Sequence, residues 1–210
     1  MKLANTSPGT LVRTRMMIIL LIALLLMLPA GDSSSGSTLP SCEWCGAAEA
    51  PARLGSELVL AKGEPGEPLV IEGRVVRAGG RTPVPGVLLY VYHTNARGIY
   101  PKKGDETGNA RRHGYLRGWL RTDEQGRYRI LTIRPGTYPT RTEAAHIHMT
   151  VTERGGKETW IDSIMFEDDA LLTREARGRL QGRGGSGVIR LTRDESGTWR
   201  GRRDIILPAE

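Results

Sequence analysis

Two histidines two positions apart, His146 and His148, are the side chains of this sequence best placed for metal chemistry. They lie in the stretch A-A-H-I-H-M-T-V, which otherwise alternates as a β-strand does. Side chains at i and i+2 of a strand point to the same face, so both imidazoles project together, while Ile147, Met149 and Val151 project toward a core. The spacing suits a shared metal ion, although two strand histidines without any ligand fit the same pattern.

Zinc is the first alternative if a metal is bound, because a third histidine and a water would complete a catalytic zinc site. His93 and His113 are the available third histidines. This alternative predicts a zinc hydrolase, and it requires one of those two rings to lie beside the pair.

Motifs upstream of the histidine pair add two tyrosines. The motifs are G-I-Y at 98–100, L-R-G-W-L-R-T-D-E-Q-G-R-Y-R at 116–129, I-R-P-G-T-Y-P at 133–139 and A-H-I-H at 145–148. Taken together, they resemble the intradiol ring-cleavage dioxygenases, the family that includes catechol 1,2-dioxygenases and protocatechuate 3,4-dioxygenases. The resemblance covers about 69–166, and it implies an iron site whose metal ligands are Tyr100, Tyr138, His146 and His148.

The resemblance also implies a reaction. A catechol-type substrate would bind Fe(III), and O2 would open its ring between the two hydroxylated carbons to give a muconate-type diacid. Tyr138 would act as the catalytic base that takes a substrate proton. The donor types suit ferric iron, since a hard trivalent ion matches two phenolates and can depress a tyrosine pKa by direct contact.

Two positions depart from the family pattern. Glu143 stands where family members commonly carry an arginine, and Ser163 stands where a glutamine is often found. Both family residues help to stabilise negative charge on the oxygenated intermediate, which is a task for preorganised donors. Arg121 and Arg141 are candidates to replace that arginine in space. Because of the two departures, the identity of the catechol-type substrate stays open.

A noncatalytic binding module is the competing hypothesis. The succession of G-R-V-V, P-V-P-G-V, T-D-E-Q-G-R-Y and R-P-G-T-Y is also typical of transthyretin-like accessory domains. Fold alone does not distinguish a sandwich enzyme from a sandwich module. The pairing of A-H-I-H with two tyrosine motifs favours the enzyme.

Short strands separated by Gly, Pro, Asn and Asp turns must position these residues. The predicted strands are 69–76, 87–94, 115–122, 127–133, 146–153, 158–166, 188–192 and 204–207, and the one predicted helix is 168–180. This succession predicts an all-β fold, an antiparallel β-sandwich like the transthyretin and intradiol dioxygenase cores, with long active-site loops at 95–112 and 182–187. The aromatic residues predicted to pack in the sandwich are Tyr90, Tyr92, Tyr115, Tyr128, Trp119 and Trp160.

The N-terminal residues have the layout of an export signal. A basic start and an apolar block at 16–28 predict a signal peptide at 1–30, a flexible leader at 31–55 and the sandwich domain at 56–210. Removing 1–30 takes away three basic and no acidic residues, which lowers the formal charge from +7 to +4. We therefore expect a secreted or periplasmic protein in which Cys42 and Cys45 can form a disulfide.

The composition limits the classes of binding partner that can be expected. Basic residues are scattered beside acidic ones, and aromatic residues make up only 5% of the chain, so nucleic-acid binding is not expected. The apolar block is too short for a comfortable membrane span, and none is predicted in the mature chain. The expected partners are a small catechol-type molecule and O2, with homo-oligomerisation left open.

Overall fold

The computed structural model describes residues 45–79 and 82–209, which contain eleven β-strands. The strands are β1 (Glu57–Val59), β2 (Pro68–Arg77), β3 (Leu88–His93), β4 (Arg117–Arg121), β5 (Arg127–Ile133), β6 (His146–Thr152), β7 (Thr159–Phe166), β8 (Val188–Ile189), β9 (Leu191–Arg193), β10 (Trp199–Arg202) and β11 (Ile205–Leu207). The helices are a 3-10 turn (Ala47–Glu49), α1 (Ala110–His113) and α2 (Arg174–Gly178).

The strands form two sheets that share one apolar core. The six-stranded sheet has the order β1-β5-β2-β10-β9, with β11 also paired to β2, and the five-stranded sheet has the order β4-β3-β6-β7-β8. Ile71 and Ile130 of the first sheet and Leu89 and Ile147 of the second have no exposed surface and belong to the same cluster. The predicted β-sandwich is confirmed.

The pairings between the central strands are antiparallel, whereas four pairings are parallel. Strands β1 and β5, β2 and β10, β2 and β11, and β7 and β8 run in the same direction. Each of these pairs joins strands that a longer connection separates, because a tight hairpin can only produce an antiparallel pair. The prediction of an antiparallel sandwich therefore holds for the central strands and not for these four pairs.

The predicted helix at 168–180 is shorter in the structure. Only Arg174–Gly178 is helical, and it begins after Thr173, whose side-chain oxygen accepts a hydrogen bond from the Ala176 amide. The preceding Asp169 carboxylate accepts the Leu171 amide, which holds this stretch in a turn. Local side-chain to backbone bonds of this kind compete with a helix, which explains the difference.

Strand β6 positions the histidine pair as the alternation predicts. Ile147, Met149 and Val151 are at most 2% exposed, so they fill the core, while His146 and His148 lie on the other face. The register between β6 and β7 shifts between Ile147 and Met149, so that two β7 residues, 162 and 163, lie opposite one histidine. A bulge of this type re-aims side chains next to a site.

Part of the segment predicted as a leader lies within the described residues. The indole of Trp119 donates a hydrogen bond to the Gly46 carbonyl, and the Ala47 amide donates to Glu158, so 45–50 is held against the five-stranded sheet.

Cys45 is disulfide-bonded, and Cys42 lies outside the described residues, as do the signal peptide predicted at 1–30 and most of the predicted leader. The domain boundaries stay a prediction. Within the described part of the chain, no helix is long and apolar enough to cross a membrane.

Candidate metal centre

Four side chains from three parts of the chain meet at one end of the five-stranded sheet. The Tyr138 hydroxyl lies 2.8 Å from the Tyr100 hydroxyl, 3.3 Å from His146 Nε2 and 3.4 Å from His148 Nε2. The two Nε2 atoms are 3.0 Å apart. The structure thus brings together all four residues predicted as metal ligands, while their binding of a metal remains a prediction.

These separations fit donors around a single ion. Ligand atoms held at about 2.0–2.1 Å from a common metal and roughly 90–110° apart lie about 2.9–3.4 Å from one another. The contacts around Tyr138 span 2.8 to 3.4 Å. Two phenol oxygens and two ring nitrogens form a donor set suited to a hard ferric ion, so the residues fit the cofactor that the sequence predicts.

Hydrogen bonds to the far ring nitrogens orient both imidazoles. His146 Nδ1 lies 2.7 Å from the Ala144 carbonyl, which can only accept, so Nδ1 carries the proton and Nε2 presents a lone pair to the cluster. His148 Nδ1 lies 3.3 Å from the Ser163 hydroxyl, which the β7 bulge places opposite it. Partners of this kind fix the tautomer and the direction of a metal-binding imidazole.

Burial shifts the pKa of three of the four side chains toward their uncharged forms. Burial, together with the hydrogen bond to Tyr138, raises the pKa of Tyr100 far above its usual value. Burial likewise raises the pKa of Tyr138, and burial together with the nearby His146 ring lowers the pKa of His148 well below its usual value. Both phenols therefore stay protonated near neutral pH, and a bound cation is what would ionise them.

A glycine explains how the two tyrosine loops come together. Gly98 has φ +77°, and a side-chain carbon built there would lie 1.7 Å from the Thr137 carbonyl oxygen, so no other residue fits. The carbonyl of Asn95 accepts the Gly98 and Gly136 amides, which ties the loop before Tyr100 to the loop before Tyr138. The G-I-Y and P-G-T-Y motifs are thus two halves of one packed unit.

A stack of rings supports the cluster from the neighbouring strand. Tyr92 lies opposite His148 in the register of β3 and β6, and their ring centroids are 4.6 Å apart. The other face of Tyr92 lies against His113, at 3.7 Å, and His113 Nδ1 contacts the Tyr90 hydroxyl at 2.7 Å. Tyr92 was predicted to pack in the sandwich, and the structure adds that it packs directly on a candidate ligand.

The other two histidines do not join the cluster. His93 is fully buried, with Nδ1 on the Thr94 carbonyl at 2.7 Å and Nε2 on the Thr132 hydroxyl at 2.6 Å. The ring of His113 packs on Tyr92, and its Nδ1 contacts the Tyr90 hydroxyl. Among 45–79 and 82–209, no group of three or more His, Cys, Asp or Glu side chains is arranged to hold a metal. The third histidine required by the zinc alternative is therefore not beside the pair.

Asp169 is a supporting residue that the sequence did not single out. One of its carboxylate oxygens accepts the Ala145 amide at 2.8 Å, immediately before His146, and the other accepts the Leu171 amide. The carboxylate therefore fixes the start of β6 from a segment predicted to be helical. The sequence predicts a helix over 168–180, which gives no indication of this contact.

A cavity of about 200 Å³ opens beside the two imidazoles. Its lining includes Glu143 and Ser163, together with Trp160, which is 37% exposed. The prediction that Trp160 packs within the sheet is therefore wrong, because its ring lies on the outer face of β7. Arg121 and Arg141 are absent from the lining, and Arg121 instead donates to the Gly86 carbonyl.

The packing predictions for Tyr90 and Tyr128 are confirmed, whereas Tyr115 is only half-buried and lies outside the core cluster. Tyr128 is 3% exposed and donates its hydroxyl to the Arg203 carbonyl, and Tyr90 stacks with Trp119 at 5.4 Å between ring centroids. The hydroxyl of Tyr115 donates to Glu64, away from the cluster. None of these side chains donates to the cluster, which leaves Tyr100 and Tyr138 as its two phenols.

Comparison with protein families and curated proteins gives concordant results. The sequence model of a family described as dioxygenase matches residues 47–177. The protocatechuate 3,4-dioxygenase beta chain of Burkholderia cepacia is 37% identical over 117 residues, which cover 52% of this chain and 49% of that protein. The catechol 1,2-dioxygenase of Acinetobacter baylyi is 31% identical over 132 residues, covering 52% of this chain and 42% of that protein. The chain thus spans about half the length of the curated relatives it matches.

Solved structures show the same fold at low sequence identity. The dioxygenase domain of a dioxygenase and carbohydrate-binding fusion from Streptomyces sp. SirexAA-E superposes with a TM-score of 0.58 and 21% identity, covering 82% of this chain and 99% of that one. A hydroxyquinol 1,2-dioxygenase from Pseudomonas putida DLL-E4 gives a TM-score of 0.57 and 22% identity, covering 91% and 71%. At these identities the likeness concerns the fold.

Proposed function

We propose, from the premise that this chain belongs to the intradiol dioxygenase family, that it is a non-haem Fe(III) dioxygenase acting on a catechol-type ring. The enzyme would cleave the ring between its two hydroxylated carbons and incorporate both atoms of O2 into a muconate-type product. The observation that carries the proposal is the meeting of two phenol oxygens and two Nε2 atoms around the Tyr138 hydroxyl.

The cofactor assignment follows from the donor set. Tyr100, Tyr138, His146 and His148 would hold the iron, which, when bound, supplies the positive charge that ionises the phenols and the centre where catechol and O2 react. Of the described residues, these four are the ones whose donor atoms converge. Two neutral imidazoles and two phenolates would balance much of a trivalent charge.

Tyr138 is the residue we assign to move a proton. Its hydroxyl touches the other three donors, and the residue lies in the loop between β5 and β6, whereas His146 and His148 are fixed within a strand. A loop tyrosine can swing away from the cluster with less disruption than a strand residue. Its oxygen would accept the proton of a catechol hydroxyl, in agreement with its implied role as catalytic base.

The two imidazoles keep their places. His146 is fixed by the contact of its Nδ1 with the Ala144 carbonyl, and His148 is held between Ser163 and the face of Tyr92.

The cavity beside the two imidazoles, about 200 Å³, is smaller than the roughly 300–1,000 Å³ sites of drug-sized ligands, so it suits a single-ring substrate.

The alternatives explain less of the site. A noncatalytic transthyretin-like module accounts for the sandwich but gives no reason for four metal-type donors to converge. A zinc hydrolase needs a third histidine, and the nitrogens of His93 are both engaged by hydrogen bonds. The family match favours the dioxygenase over both.

Export is a separate part of the proposal. The basic and apolar start of the sequence supports cleavage near residue 30 and a secreted or periplasmic enzyme of aromatic compound catabolism. Mass spectrometry of the protein recovered from culture medium or periplasm would test it, and a chain that retains residues 1–30 in the cytoplasm would contradict it.

Spectroscopy together with oxygen consumption tests the proposed function. Protein expressed in iron-replete medium should carry iron, absorb visible light through tyrosinate-to-iron charge transfer, and consume O2 with catechols to give muconate-type acids. The Tyr100→Phe variant should shift and weaken the band. A colourless protein that binds no iron and ignores catechols would contradict the proposal.

A further inference from the structure

The side chain of Arg203, just after β10, is buried inside the sandwich. Arg203 is 1% exposed, and its Nε and Nη2 have no hydrogen-bond acceptor among the described residues. Burial lowers the pKa of this guanidinium. Withdrawing a charged group from water is unfavourable, and an apolar side chain of similar volume often replaces such a group without loss of stability. Packing alone therefore does not explain an arginine at this position.

The backbone of Arg203 is fixed to the six-stranded sheet. Its amide donates to the Glu72 carbonyl at 2.9 Å, and its own carbonyl accepts the Tyr128 hydroxyl at 2.7 Å. Gly73 lies against the same carbonyl so closely that a side-chain carbon built there would be 1.7 Å from the oxygen. Strands β2 and β5 therefore give the base of the arginine side chain a defined position.

The guanidinium of Arg203 reaches the bulge of β7 in the other sheet. Its Nη1 donates to the Asp162 carbonyl at 2.6 Å. Asp162 and Ser163 are the two residues that the register shift places opposite His148. A bulge disrupts the backbone ladder locally, and a buried carbonyl needs a donor. The arginine supplies that donor at the point where the ladder is interrupted.

The loop before β8 encloses the same nitrogen from the other side. A side-chain carbon built on Gly187 would lie 2.8 Å from Arg203 Nη1 and 2.3 Å from the Ser163 carbonyl oxygen. The Gly187 carbonyl also accepts the Met165 amide at 2.9 Å. The buried carboxylate of Asp162 offsets part of the positive charge of the arginine. A change of register in β7 would therefore break contacts on both sides of Nη1.

The bulge determines which side chain lies behind His148. The Ser163 hydroxyl is 3.3 Å from His148 Nδ1, on the side of the ring away from the four donors. A one-residue change of register moves a side chain to the other face of a sheet, so loss of the bulge would take Ser163 away from Nδ1. The partner on Nδ1 fixes the direction in which Nε2 points at the donor cluster.

We propose that Arg203 is a positioning residue of the metal centre: its hydrogen bond to the Asp162 carbonyl holds the β7 bulge that keeps the Ser163 hydroxyl on His148 Nδ1. Arg203 does not line the cavity, and it acts only through these two β7 residues. The effect on iron rests on the function proposed above. The contact between Ser163 and His148 is present without a metal, so it can be measured independently of that function.

Competition between the iron-loaded protein and a chelator tests the effect on the metal centre. Arg203→Met keeps a long side chain without the donor and should weaken iron binding by about tenfold or more, within the range typical of groups that orient a ligand. Electron paramagnetic resonance of the ferric ion should change line shape, because the direction of the His148 ring changes. Arg203→Lys keeps one donor for the Asp162 carbonyl, so its iron affinity should stay within about threefold of wild type, less than the loss of a typical hydrogen bond.

A double-substitution cycle separates this route from a general loss of stability. Arg203→Met combined with Ser163→Ala should bind iron at most about threefold more weakly than Arg203→Met alone, because both changes remove the same contact on Nδ1. Independent tenfold effects would instead multiply to about 100-fold. Leu207→Ala in the core is the control: it should lower stability to denaturant while leaving iron affinity and the resonance line shape unchanged.

Crystal structures of the metal-free variants decide the inference separately from the proposed function. In Arg203→Met the Ser163 hydroxyl should lie beyond hydrogen-bond range of His148 Nδ1, whereas in Leu207→Ala it should stay within that range. The role of Arg203 would be overturned if Arg203→Met kept this contact, if it lost stability but kept the iron affinity of wild type, or if the two substitutions had independent effects. If wild type binds no iron, the proposed function fails, and the crystal structures still decide about the arginine.

Arg203→Lys decides the question if the methionine variant does not fold. A lysine ammonium that reaches the Asp162 carbonyl should preserve the contact between Ser163 and His148, and one that misses this carbonyl should lose it. Either opposite combination in the crystal structure of the lysine variant would overturn the inference.

Discussion

The four histidines of this chain form two pairs whose surroundings differ sharply. His146 and His148 present their Nε2 atoms to each other and to the Tyr138 hydroxyl at one end of the sheet. His93 and His113 lie behind them, with ring nitrogens on the Thr94 carbonyl, the Thr132 hydroxyl and the Tyr90 hydroxyl. The difference shows that a histidine is not a candidate ligand by residue type alone. It becomes one when a ring nitrogen that no packing hydrogen bond occupies faces other donor atoms.

The two pairs are connected by one ring. Tyr92 stacks on His148 at 4.6 Å and on His113 at 3.7 Å, so a candidate ligand and a packing histidine contact opposite sides of the same side chain. This offers a matched pair of substitutions, because each removes an imidazole that is stacked on Tyr92. Only one of them removes a donor from the cluster.

Removing His148 should have the largest effect. His148→Ala deletes a donor, so iron affinity should fall by at least about 100-fold, beyond the 10–100-fold typical of residues behind the ligands. Iron content and the visible charge-transfer band measure the loss. His113→Ala is the control and should retain stoichiometric iron despite lower stability; equal iron loss in both variants would contradict the distinction between the pairs.

The buried pair should instead determine stability at acidic pH. Burial lowers the pKa of His93 to about 4 from 6.5, and burial lowers that of His113 to about 4 as well. Because the unfolded chain binds these protons at higher pH than the folded one, stability is full above about pH 6.5 and decreases as the pH falls toward 4.

His93→Gln tests this contribution by denaturant unfolding. Between pH 6.5 and 5, wild type should lose up to about 2 kcal/mol through His93 that the variant does not lose, at about 1.4 kcal/mol per pH unit. Glu64 acts against this loss, since its charge favours the protonated imidazole. Parallel pH profiles for the two proteins would show that His93 is not held neutral by burial.

The smallest effect should come from the hydroxyl behind His148. Ser163→Ala removes the 3.3 Å contact with Nδ1 and should weaken iron binding by about tenfold at most, the lower end of the range for groups that orient a ligand. Competition with a chelator measures the change. Ser186→Ala, on an exposed loop, serves as the control and should leave iron affinity unchanged. If Ser163→Ala lost as much iron affinity as His148→Ala, Ser163 itself would be a ligand.

Much of the fold followed from local patterns. The alternation of apolar and polar residues in β6 predicted that Ile147 and Met149 enter the core, while the two histidines point outward. Turn-forming residues predicted where most of the central strands begin and end. Strands β1 and β10 were not predicted, and 188–192 is interrupted at residue 190. These short strands pair in parallel or at an edge with distant segments, so their stability comes from contacts that local sequence does not contain.

The candidate site was predictable in its donors and not in its supports. Tyr100 and Tyr138 could be named because their motifs resemble those of the intradiol dioxygenases, and the structure adds that the glycine in G-I-Y lets the two loops touch. Asp169 could not, since it reaches the site through a fold-level contact with the Ala145 amide. Side chains that act through long-range contacts leave no spacing signal in the sequence.

The central claim is that one iron ion binds where the four donors meet, and anomalous diffraction at the iron absorption edge tests it most directly. Crystals of iron-loaded protein should show one strong anomalous peak within bonding distance of the Tyr100 and Tyr138 hydroxyls and of Nε2 of His146 and His148. A peak bound to the histidines alone, a peak elsewhere, or no peak in protein that contains iron would contradict the account.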